Sequence, residues 1–195
     1  MSSAPQLRHA AATVHGRYLV QPPAAPGPAP WLVGFHGYAQ SAEVFLPMLT
    51  ALLPGPHWLT CSVQALHPFY AGRTQAVVAN WMTSQDRELA IADNIAYVDA
   101  VLEGLVREHG APRAIVFAGF SQGACLVLTW LSRTTARPSR VLAFTGAHTP
   151  LEGAEFAAAG WPAPIDAIAA SSSAVGGAAM SGGAPVRPKF CPVPT

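Results

Sequence analysis

The sequence predicts an α/β fold: a mostly parallel sheet with helices packed on both faces. Two observations carry this. Short apolar runs rich in β-branched and aromatic residues alternate along the chain with longer stretches whose apolar positions recur at helical spacing. One such run, Ala114-Ile115-Val116-Phe117-Ala118, passes through Gly119-Phe120-Ser121-Gln122-Gly123 into a helical stretch from Ala124 to Leu131. In a sheet of this kind the site is expected at the carboxyl ends of the strands.

The elements follow in order. Residues 12–20 read as an N-terminal strand, and Gln21 to Pro30 as a rigid proline-rich connection. Trp31-Leu32-Val33-Gly34-Phe35 reads as a buried strand ending in His36-Gly37-Tyr38-Ala39-Gln40. Ser41 can then cap a helix with Val44, Phe45, Met48, Leu49 and Leu52 at helical spacing, stopped by Pro54-Gly55-Pro56. Trp58 to Val63 is the next strand, and from Gln64 to Thr83 no period holds, which predicts a long loop. A helix from about Gln85 to Glu108 would turn Leu89, Ala92, Ile95, Ala96, Leu102, Leu105 and Val106 inward, with Gly110 as its stop. Asp86 and Glu88 suit the dipole at its start. Arg140 to Thr145 gives one more strand.

Strand, Gly-x-Ser-x-Gly, helix is the pattern of a nucleophile elbow, in which a sharp turn presents the serine and needs small flanking residues. Ser121 is therefore the candidate nucleophile. In such sites one oxyanion donor comes from the residue after the nucleophile and the other from an earlier strand-end loop, here the backbone N–H groups of Gln122 and Tyr38. Each such donor is typically worth about 2.7–4 kcal/mol in the transition state. Gly37 is expected to let the chain approach the substrate closely. His67, Phe69, Tyr70 and Trp81 in the long loop either line the pocket or plug gaps between loop and sheet, and His36 is a further candidate for the pocket lining.

These residues resemble the phospholipase/carboxylesterase family of α/β-hydrolases, which includes the acyl-protein thioesterases. The likeness rests on Phe35-His36-Gly37-Tyr38 with the Glu43-Val44-Phe45 helix, on Trp81 with Asp86 to Tyr97, and on Ala118 to Ala124. It spans roughly residues 13–146. The resemblance implies hydrolysis of a small-molecule carboxylic ester or thioester by a Ser-Asp-His triad, with no metal or other cofactor.

Bulk properties agree. A chain of 195 residues with 51% hydrophobic content can fill the core of one domain. A net charge of +1, with basic residues scattered, points away from nucleic acid. Arg73, Arg87 and the arginines at 133, 137 and 140 read as solvated surface. Neither a signal peptide nor a transmembrane segment is expected. Cys61, Cys125 and Cys191, odd in number and widely spaced, read as reduced thiols of a cytoplasmic protein, the first two buried.

The C-terminal part departs from this pattern. The fold orders its triad serine, acid, histidine, yet downstream of Ser121 His148 precedes Glu152, Glu155 and Asp166. Whether His148 or Asp166 can complete a triad stays open. From Ala154 to Thr195 the composition is dominated by Ala, Gly, Pro and Ser, with no convincing strand. The sequence thus predicts a core over 1–146 lacking its last strands and a disordered tail over 147–195, as an altered or frameshifted C-terminus would give. Two functions follow: a serine hydrolase, or an impaired member that acts only as a ligand-binding or interaction protein.

Overall fold

The computed structural model describes residues 4–133, 138–145 and 165–169. Its elements are β1 (Tyr18–Gln21), β2 (Trp31–Phe35), α1 (Ala42–Leu52), β3 (Leu59–Val63), β4 (His67–Ala71), β5 (Ala76–Asn80), α2 (Arg87–His109), β6 (Ile115–Phe120), α3 (Gln122–Arg133), β7 (Arg140–Thr145) and β8 (Ile165–Ala169). Six strands form one sheet in the order β1-β3-β2-β6-β7-β8, parallel throughout except for β1. The strand expected over 12–20 begins later, where Tyr18 meets Val63.

Every position of β2 and β3 is buried. A strand covered on both faces reads as an unbroken apolar run, which is why β2 was legible. Trp31, Val33, Phe35 and Phe117 pack on one face with Val98, Val101 and Leu105 of α2 and with Leu126 and Trp130 of α3. Leu32, Val116 and Leu142 pack on the other with Phe45 and Leu49 of α1. Fully burying one such side chain stabilises by about 1.5–3 kcal/mol. An exposed pair such as Arg133–Glu88 at 3.5 Å contributes far less. These two layers hold the molecule together.

The start of α1 is capped twice. The Ser41 hydroxyl accepts from the Val44 N–H at 3.3 Å, and the Gln64 side-chain oxygen accepts from the Ala42 N–H at 2.6 Å. Ser41→Ala is expected to cost about 1 kcal/mol, because only one of the two caps is lost. A urea unfolding curve reads that cost as a lower midpoint at unchanged slope. An unshifted midpoint would show that Gln64 caps the helix by itself.

Three expectations need correction. Residues 64–83 are not a loop throughout: β4 and β5 form a separate antiparallel hairpin, His67 opposite Asn80. Pro68 and the lack of apolar alternation concealed it, since a two-stranded ribbon exposed on one side demands neither a regular pattern nor a donor at every position. The inward face of α2 is Ile91, Asn94, Val98, Val101 and Leu105, whereas Leu89 and Val106 are 49% and 45% exposed. A buried polar Asn94 rotates the true face away from the one that hydrophobicity alone selects. Beyond residue 146, in a segment expected to hold no strand, β8 pairs parallel with β7, Leu142 opposite Asp166. His148, Glu152 and Glu155 and the remainder of the expected tail lie outside the described residues. No described helix is long and apolar enough to cross a membrane.

Candidate active site

The carboxyl ends of β2 and β6 lie level, with Phe35 opposite Gly119. The segments that leave them, His36 to Gln40 and Phe120 to Ser121, therefore start side by side. Ser121 occupies the single position between β6 and α3, exposed and at φ +52°. A non-glycine residue at positive φ costs on the order of 1–3 kcal/mol and persists only where its surroundings enforce it. Two glycines do so here. A Cβ on Gly119 would lie 2.6 Å from the Ala124 Cα, and one on Gly123 would lie 2.1 Å from the Phe35 carbonyl oxygen. Only bare backbone lets strand, helix and β2 converge at this corner.

The Ser121 carbonyl accepts from the Ala124 N–H at 3.0 Å and so opens α3. The first N–H groups of a helix have no acceptor within it and sit at its positive end. Gln122 holds that position. On the other side, Gly37 donates its N–H to the Gln40 side-chain oxygen at 2.7 Å, while the Gln40 N–H returns to the Gly37 carbonyl at 3.3 Å. This closed turn carries Tyr38, whose side chain is 60% exposed. Gly37 itself is buried, and a Cβ there would lie 2.8 Å from the Phe120 ring, so its small size seats Phe120. Ala39, next in the turn, is also at positive φ (+57°).

The hairpin is tied to this turn. Ala39 donates to the Ala79 carbonyl at 3.0 Å, Ala79 donates to the Gln40 carbonyl at 2.8 Å, and the rings of Tyr38 and Phe69 lie 5.5 Å apart. Phe69 is half-buried and Tyr70 is 66% exposed. Trp81 is fully buried, donates its indole N–H to the His36 carbonyl at 2.8 Å and packs on the Phe35 ring at 5.8 Å. Of the aromatic residues in this stretch, Trp81 thus plugs the interior, Phe69 stands beside Tyr38, and Tyr70 is exposed on the hairpin.

His36 is fully buried as well. Its Nε2 accepts from the Ala65 N–H at 3.0 Å, which assigns the proton to Nδ1, and Nδ1–H donates to the Gly37 carbonyl at 2.7 Å. Burial holds its pKa below the ordinary imidazole value, against weaker upward pulls from the Gly37 carbonyl and Glu43. With both nitrogens engaged, His36 cannot serve Ser121 as a base; it fixes the loop. The unfolded chain takes up this proton first, from about pH 6.5 downward. Stability is therefore complete above that value and falls as pH drops toward the folded pKa. Thermal unfolding midpoints should decline between pH 7.5 and 5.5 more steeply in the wild type than in His36→Gln; parallel declines would show that His36 is not responsible.

The two cysteines among the described residues differ. Burial pushes the Cys61 thiol up to about 12. Cys125, expected to be buried, is exposed, because α3 turns Gly123, Ala124, Leu126, Val127, Trp130 and Leu131 inward instead. Asp86 holds the N-cap of α2 without a side-chain cap bond and lies 3.0 Å from His9. Sequence reading missed the side chains of Gln40, Asn94 and Gln122, and no spacing rule would have marked them. They are single amides whose partners are backbone groups distant in sequence.

The arrangement thus sets an exposed hydroxyl at a strand-to-helix turn, beside the loop that carries Tyr38. A parallel sheet with such a turn at the end of a central strand, and helices on both faces, defines an α/β-hydrolase. A model of the phospholipase/carboxylesterase family matches residues 23–165, and the chain belongs to that family. Among solved structures it is similar to esterase PE8 (TM-score 0.58, 18% identity), covering 82% of this chain and 91% of that one. It is similar also to a carboxylesterase from Mesorhizobium loti (TM-score 0.53, 18% identity, 72% and 80% covered). A third likeness is to a protein of unknown function from Agrobacterium tumefaciens (TM-score 0.52, 15% identity, 69% of this chain), of which the chain spans 62% of the length. At these identities the likenesses establish the fold. No curated protein matches the chain.

Proposed function

We propose that this protein hydrolyses carboxylic esters or thioesters of small molecules, with Ser121 as nucleophile and the N–H groups of Tyr38 and Gln122 as oxyanion donors. The observation that carries the reading is the exposed Ser121 at φ +52° between β6 and α3, flanked by glycines that admit no side chain. Family membership supports the hydrolytic chemistry. The Tyr38 and Phe69 rings lie 5.5 Å apart beside the turn, an aromatic surface that favours an apolar acyl or alkyl group over a phosphorylated one. Cys61 is a reduced thiol in the core, in keeping with a cytoplasmic setting.

A fluorophosphonate probe tests the nucleophile. The serine oxygen attacks phosphorus, fluoride leaves and the hydroxyl proton departs as HF. Mass spectrometry should find the adduct on Ser121 of the folded protein. The second reading, a member that binds without turnover, rests on the order of His148 ahead of Glu152, Glu155 and Asp166. Intact folding with no adduct at Ser121 would favour it and overturn the first.

A further inference from the structure

The Gln122 side chain has a bond pattern that its place at the elbow does not require. Its Oε1 accepts from the Trp81 N–H at 2.9 Å, and its Nε2 donates to the Met82 carbonyl at 2.7 Å. One amide thus closes on two consecutive residues of the strap between β5 and α2. From the opposite side the buried Asn94 donates through Nδ2 to the Trp81 carbonyl at 2.7 Å and to the Ala90 carbonyl at 2.7 Å. The Trp81 indole N–H in turn reaches the His36 carbonyl at 2.8 Å. The strap is held by α2 below and by the oxyanion turn at its side, so it is a fixed anchor. The groups bonded at Trp81 and Met82 are amides, an indole and backbone carbonyls, while the carboxylate of Asp86 at the far end of the strap lies 3.0 Å from His9.

We propose that Gln122 is a positioning residue. By clasping Trp81 and Met82, its side chain sets the orientation of its own backbone N–H toward the carbonyl that Ser121 attacks. The geometry favours this role because the residue carrying the donor is the residue carrying the clamp. Rotation of the Gln122 peptide would break both side-chain bonds. The inference rests on Ser121 being the nucleophile and deepens that reading: part of the oxyanion hole is built by a side chain.

Two variants test it. Gln122→Met keeps the length and removes both bonds. It should slow fluorophosphonate labelling about 10- to 100-fold, the scale of a small misplacement at a reacting centre. Reversible binding of a matched ester analogue without an electrophile should stay within about twofold, since ground-state contacts do not use the donor. Gln122→Glu keeps the acceptor for Trp81, but its ionised carboxylate repels the Met82 carbonyl. Once protonated it donates there as the amide did. The ratio of its labelling rate to that of wild type should rise as pH falls from 8 to 5, a recovery that a purely packing role would not give. Equal labelling rates for Gln122→Met and wild type, or a flat ratio for Gln122→Glu, would overturn the proposal. Amide exchange separates this from a failure of the Ser121 reading. In Gln122→Met, exchange should quicken at Trp81 and Ala124, whose N–H groups bond to Gln122 Oε1 and the Ser121 carbonyl, while the core stays protected. Unchanged exchange at Trp81 and Ala124 overturns the clamp even if the wild type never labels.

Discussion

Ser121→Gly and Ser121→Ala should both abolish turnover, and the glycine variant should nevertheless be the more stable of the two by about 1 kcal/mol. Loss of the nucleophile in a comparable serine hydrolase costs about 10⁶ in kcat, so neither variant should turn over an ester measurably. The stability difference has another origin. At φ +52° a Cβ is strained whatever it carries, and glycine relieves this while alanine does not. Wild type and Ser121→Ala should unfold at similar urea concentrations, and Ser121→Gly at a higher one. The separation matters because it ties chemistry and backbone strain to one position. Turnover surviving in either variant would remove Ser121 from the mechanism. Identical midpoints for glycine and alanine would show that the turn stores no strain.

Gly123→Ala should be the most damaging single-methyl change in the described chain. Its Cβ would lie 2.1 Å from the Phe35 carbonyl oxygen and 2.6 Å from that of His36. Both are backbone atoms, one at the end of a strand buried at every position and the other on the buried His36 just beyond it, so nothing can move aside. We expect a loss of about 3 kcal/mol or more, at the upper end of overpacking costs. Gly34→Ala provides the control. Its Cβ would also meet an atom at 2.1 Å, but that atom is the Cδ1 of Leu49, the tip of a side chain with other rotamers. Chemical denaturation should rank Gly34→Ala clearly above Gly123→Ala. Equal losses would imply that α3 can slide away from β2, and the elbow would then be less rigid than its geometry requires.

How much of this was legible depended on which force set each element. β2, α1, β6 and β7 follow local pattern: dense apolar runs, a Ser41 cap and regular spacing, so their bounds were nearly those found. The corner at Ser121 was legible because sterics leave few residue types able to make it. The hairpin of β4 and β5 was not, since its order comes from a bridge between Gln40 and Ala79, a partner 39 positions away. The inward face of α2 was misjudged because Asn94 is buried for the sake of the Trp81 carbonyl, a gain that hydrophobicity cannot signal. Cys125 was placed on the wrong side of α3 because its neighbours Ala124 and Leu126 are themselves buried, and adjacent residues on a helix point about 100° apart. β8 follows the same lesson: Ile165–Ala169 has little apolar bulk to declare itself, and its pairing with β7 is non-local.

The bridge between Gln40 and Ala79 has one more consequence. Because Ala79 both gives and receives a hydrogen bond across it, the hairpin and the Tyr38 turn are joined outside the main sheet. The tip around Gly72–Thr74 lies at the far end of that hairpin from the bridge. A bulky substrate or a neighbouring macromolecule that pressed on that tip would bear on the Tyr38 turn through the bridge, without ever touching Ser121.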